Sequence, residues 1–114
     1  MKRTNTEPST AFVCWQREAA SACLRIELSS EEMHLLPYSH LVAAQFIRAA
    51  EGEESLRLTF STHEVKIEGQ ELRDLLLGIQ DFAIKWLRPV PQRYSVIAPT
   101  MGGVIAKISV LAVE

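Results

Sequence analysis

Three histidines, two cysteines and a short run of cations are the residues of this chain best equipped for chemistry. His34 and His40 are six positions apart with Pro37 and Tyr38 between them, and His63 stands by itself after a turn. A metal held on one helix face needs histidines one turn apart, and a structural zinc site needs cysteines in Cys-x-x-Cys spacing; neither pattern occurs. His34, Tyr38 and His40 can still line the mouth of a small-ligand or enzymatic pocket. His63 falls on the inward face of a hairpin, where a rim histidine is the expectation. Cys14 and Cys23 lie in Phe-Val-Cys-Trp and Ser-Ala-Cys-Leu. Nothing in those neighbourhoods lowers a thiol pKa, so both read as reduced, partly buried side chains.

Other catalytic patterns are missing. There is no Gly-x-Ser-x-Gly elbow, and Gly102-Gly103 leads into a strand rather than into a helix whose amides could hold phosphate. Glu31-Glu32 and Glu53-Glu54 sit in turn-like stretches and read as solvated charge. No catalytic residue, metal ligand or cofactor is therefore assigned.

One constellation remains. Lys85, Trp86, Arg88, Arg93 and Tyr94 mix cations with aromatics, the combination that grips phosphate and stacks a base. It supports a weak nucleic-acid or anion-binding domain using residues 85–94. The formal net charge of −2 excludes a strongly basic binder as the default. Charge is unevenly placed: from Glu31 to Glu71 acidic residues outnumber the three basic ones, whereas Phe82 to Val113 holds Lys85, Arg88, Arg93 and Lys107 with no acid. Such asymmetry suits contact with an anion or with a neighbouring subunit.

The element expected to position these groups runs from Gly69 to Arg88. Leu72, Leu75, Leu76, Ile79, Ala83, Trp86 and Leu87 follow the i, i+3, i+4, i+7 spacing of a helix lying on a core. Gly69 can cap its start and Pro89 ends it, which predicts one long amphipathic helix over about 70–88. Asp81 and Lys85 are spaced to pair on its polar side. Leu77 and Ile84 project together from that side, and this apolar doublet is the candidate contact for self-association. Gly78, beside Leu77, suggests close approach by another element.

Elsewhere the pattern is extended. Phe12, Trp15, Ala19, Ala22 and Cys23 predict a short N-terminal helix over about 11–22. Leu24 to Leu28 alternates as a strand, and Met33 to Leu36 continues as one until Pro37 confines it to an edge or an end. Residues 40–50 are alanine-rich, yet their position before a hairpin favours a strand over a helix. Pairing Phe60 with His63 across Ser61-Thr62 sets Leu58 opposite Val65 and Leu56 opposite Ile67, a register fixed by burial. Val104 to Val113 closes the chain as a strand expected in a central or partly covered position.

Length and composition bound the whole. Residues 1–10 read as a disordered tail and 11–114 as a single domain of 47% hydrophobic and 23% charged residues. No apolar run approaches the roughly 18 residues that a spanning helix needs, and the N-terminus lacks a signal peptide's apolar region. The expected architecture is α+β: an antiparallel sheet of about five strands with the 70–88 helix on one face. The expected function is a small cytoplasmic, non-enzymatic module that acts through protein contacts, chiefly as a homo-oligomer.

Overall fold

The structure is a computed structural model that describes residues 13–91 and 103–113. Among these residues are eight strands and one short helix: β1 (Trp15–Arg17), β2 (Cys23–Ser29), β3 (Glu32–Pro37), β4 (Leu41–Arg48), β5 (Glu54–Phe60), β6 (His63–Gln70), α1 (Arg73–Gln80), β7 (Ile84–Leu87) and β8 (Val104–Ala112). A 3₁₀ turn, Tyr38–His40, joins β3 to β4. The strands form two sheets of four, ordered β1-β7-β2-β3 and β4-β5-β6-β8. Every pairing is antiparallel except that of β2 with β7.

This overturns the expectation of one five-stranded sheet under a long helix. Within the short helix and its cap, Leu72, Leu75 and Ile79 are buried in the core and Leu76 packs against it half-buried. The helix stops after Gln80 because the chain turns left-handed at Phe82, which has φ 53°. There the Phe82 N–H donates to the Ile79 carbonyl and the Ala83 N–H to the Gly78 carbonyl at 2.8 Å, a Schellman closure with phenylalanine in the place usually held by glycine. Ile84 and Leu87 are buried on β7 instead, and Ala83 in the turn that leads into it. Residues 13–22, the described part of the expected N-terminal helix, are likewise not helical. β1 occupies its middle, and the following turn holds Ala20 at φ 61°.

The remaining strands follow from alternation. Leu24 and Ile26 are fully buried on β2, while Arg25 and Glu27 face out and pair at 2.7 Å. On β5 and β6 the inward residues are Leu56, Leu58, Phe60, Val65 and Ile67, and Leu56 faces Ile67 and Leu58 faces Val65 as burial demanded. Arg57 on the outer face reaches Glu64 at 3.5 Å. Residues 41–48 are indeed a strand. β3 is an edge, as Pro37 requires, but β8 is an edge as well rather than a central strand. The two sheets and α1 share one core cluster, which includes Leu24, Ile26, Leu58, Ile67, Ile79 and Ile84.

Two glycines make close approaches. Gly69 lies in β6 rather than capping the helix, at the register shift against β8; a side chain there would strike the Val104 carbonyl. Gly78 lies under the Ile84 side chain, which occupies the space a Cβ would need. The approach expected at Gly78 is thus made by a side chain.

Candidate functional site

The most distinctive surface is the outer edge of β4. It has the sequence Leu-Val-Ala-Ala-Gln-Phe-Ile-Arg, and among the described residues only β5 pairs with it. Val42 is 70% exposed and Ile47 47% exposed. The ladder to β5 shifts register between Leu41 and Ala43, so Val42 is the residue of a bulge, and regular pairing runs from Ala43 to Arg48. Phe46 faces Leu56 and packs on the core; Ala43, Gln45 and Ile47 face Thr59, Arg57 and Ser55 on the outer side. Small side chains at Ala43 and Ala44 leave a depression of about 430 Å³, which Gln45, Arg57, Thr59 and Glu64 complete.

Sheet edges attract other strands unless shortened, charged or broken. The other three edges have such protection. β1 is three residues long, β3 begins at Glu32 and ends at Pro37, and β8 carries an exposed Lys107 at its middle. β4 has one charge, Arg48, at its end. That guanidinium is held against Glu54, with Nη2 donating to Oε2 at 2.9 Å.

Glu54 was not visible as a functional group in the sequence, where it read as solvated charge. It is 5% exposed and lies at the start of β5. Its Oε1 accepts from the Leu72 N–H at 2.7 Å, and the Glu71 N–H also donates to this carboxylate. Leu72 is the N-cap of α1 and has no side-chain acceptor, so a carboxylate eighteen residues earlier caps the helix. The Leu72 N–H chiefly, with help from Arg48, holds the Glu54 carboxyl below the usual range against the opposing effect of burial. Sequence reading missed this role because nothing local marks the contact.

The residues singled out from sequence separate into three groups. Leu77 is 43% exposed on α1, whereas Ile84 is fully buried on β7. They share no helical face, and Ile84 is a core residue rather than a surface contact. Lys85 is exposed and bridges Glu18 at 3.3 Å; Asp81, its expected partner, instead lies 3.9 Å from Arg17. Arg88 places its guanidinium 4.7 Å above the Trp86 ring and donates from Nε to the Val13 carbonyl at 3.0 Å. Trp86 is half-buried on β7, with Nε1 donating to Gln16 Oε1 at 2.7 Å, and so is not in a helical core arc. Arg93 and Tyr94 lie outside the described residues.

The third group, His34, Tyr38 and His40, does not converge. His40 is exposed in the 3₁₀ turn. His34 contacts Glu32 through Nε2 at 3.1 Å and meets the His63 ring edge-on at 5.9 Å between centroids, linking β3 to β6. Tyr38 is buried, stacks on Phe82 at 5.0 Å, and donates its hydroxyl to the Ile84 carbonyl at 2.6 Å. Burial pushes its pKa up to about 12. A raised folded-state value means that this contribution is complete below the unfolded pKa of about 10 and is lost as pH rises through 12. In a Tyr94→Phe variant, phenolate absorbance is expected to develop near pH 12 together with loss of the native circular-dichroism signal. A midpoint near pH 10 in protein that is still folded contradicts the buried, bonded phenol.

Cys14 is buried, its Sγ accepting from the Ile105 N–H at 3.4 Å, and burial raises its pKa; Cys23 is half-buried. Among the described residues no group of three or more His, Cys, Asp or Glu is arranged to hold a metal ion. Among them, too, no helix is long and apolar enough to cross a membrane. Comparison with protein-family models, with curated proteins and with solved structures finds no match for the chain.

Proposed function

We propose that this chain is a non-enzymatic interaction module that works by associating with further copies of itself. The observation that carries the reading is the β4 edge, a strand of eight residues with exposed Val42 and Ile47 and little protection against pairing. Leu77 adds exposed apolar surface on α1, the helix that packs beside β4. The polar groups that suggested other chemistry serve structure: the Tyr38 hydroxyl bonds to β7, and Lys85 pairs with Glu18. A basic anion site at 85–94 is correspondingly less favoured. We assign the module to the cytoplasm, a reading supported by two free thiols that suit a reducing compartment.

The test is mass in solution. Light scattering on the pure chain at tens of micromolar is expected to give at least twice the protomer's 12.8 kDa. A monodisperse monomer at high micromolar concentration overturns the proposal.

A further inference from the structure

We infer that a second copy adds its β4 to this β4, antiparallel across a twofold axis at Gln45, so that the two four-stranded sheets become one continuous sheet of eight. This rests on the self-association proposed above and specifies its interface. A strand edge offers alternating N–H and C=O groups, and the occupant that satisfies all of them is another strand. Self-pairing is favoured by the side-chain sizes along the regular segment Ala43–Ile47. With Gln45 on the axis, Ala43 faces Ile47 of the partner subunit and Ala44 faces Phe46 of the partner subunit, so each large side chain meets a small one. On the outer face this places an isoleucine over the depression of about 430 Å³ that Ala43 and Gln45 help to line. The two Gln45 amides meet at the centre, where each can both donate and accept.

Charge and backbone geometry favour the same alignment. An antiparallel pair sends the two Arg48 side chains to opposite ends, whereas a parallel pair stacks them. The Val42 bulge ends regular pairing on one side of the segment, and Arg48 ends the strand on the other. Gln45 is the middle residue of what lies between. A twofold contact of this kind is closed, so it yields a dimer and not a filament.

Cross-linking tests the register directly. Residues opposite each other across an antiparallel pair have Cβ atoms about 4.5–5.5 Å apart, within reach of a disulfide. A Gln45→Cys variant in a Cys23→Ser background is expected to form a covalent dimer under mild oxidation. Ala43→Cys is expected not to, because two copies of that residue are about 14 Å apart along the ribbon, four steps of about 3.4 Å. As a second measurement, Gln45→Glu sets two carboxylates face to face at the axis while remaining compatible with the protomer, where position 45 lies opposite Arg57. It is expected to weaken the dimer at least tenfold. If the wild-type chain is a dimer but Gln45→Cys does not cross-link, or Ala43→Cys cross-links as readily, this interface is wrong and self-association stands. If the wild-type chain is a monomer, both fail.

Discussion

Replacing Glu54 by alanine is expected to lower the stability of the fold by about 2–3 kcal/mol, because two backbone donors at the start of α1 and the Arg48 guanidinium lose their acceptor together. Urea denaturation reads the change as a shift in midpoint at constant slope. Glu54→Gln should fall between the two, since its carbonyl can still accept from the Leu72 N–H while its amide turns donors toward Arg48. The same carboxylate carries a pH dependence with a definite sign. Its folded-state pKa lies below the unfolded value of about 4.5, so the unfolded chain takes up the proton first as pH falls. The stabilisation is fully present above pH 4.5 and is lost as pH drops through the folded-state value. Midpoints for wild type and Glu54→Gln should therefore converge in acid. A constant difference from pH 7 to pH 3 refutes the assignment.

Ile84→Ala is expected to cost about 2–5 kcal/mol, the range for emptying a fully buried aliphatic site. Ile84 fills the space above Gly78, so the two positions are coupled. Gly78→Ala alone should destabilise by about 1–3 kcal/mol, since its methyl overlaps the Ile84 side chain and this outweighs the roughly 1 kcal/mol that alanine gains in a helix. With Ile84→Ala in place that overlap is gone, and Gly78→Ala should become neutral or favourable. A double-mutant cycle measures the difference, and additivity within about 0.5 kcal/mol shows that the contact does not exist. Leu77→Lys is the control: at an exposed position between Asp74 and Asp81, it should change the stability of the dissociated protomer by less than about 0.5 kcal/mol. The contrast separates two residues that helical spacing had placed on one surface.

That contrast shows where sequence reading succeeds and fails. The β5–β6 hairpin was legible down to its register, because Leu56, Leu58, Phe60, Val65 and Ile67 can all be buried together in only one pairing. β2 was legible from the alternation of Leu24, Ile26 and Leu28, and β3 as a short run ended by Pro37. The span from Gly69 to Arg88 misled because Leu72, Leu75 and Ile79 begin a true helical stripe and Ala83, Trp86 and Leu87 happen to continue it. The turn between them uses Phe82 at positive φ, with no glycine to announce it. Ile84-Lys-Trp-Leu87 is short enough to satisfy either period. At the candidate site, residues 41–48 could be read as a strand but not as an edge, because edge or centre depends on which distant strands pair. Glu54 was opaque for a similar reason: its partners at Glu71 and Leu72 lie more than fifteen positions away.

The pairings that β7 makes with β2 and β1 cost more chain entropy than the hairpins do. β5 meets β6 across two residues, and β2 meets β3 across two as well. By contrast, Trp86 reaches Arg25 from 61 positions away (86 − 25), and Leu87 reaches Trp15 from 72 (87 − 15). Loop-closure cost grows by only about 0.6 kcal/mol per doubling of length, yet it must be met before those short ladders return anything. With three residues in β1 and four in β7, the ladders are too short to stand alone. Their permanence is borrowed from Ile84, Leu87 and Ile26, side chains whose neighbours belong to the core shared with the other sheet.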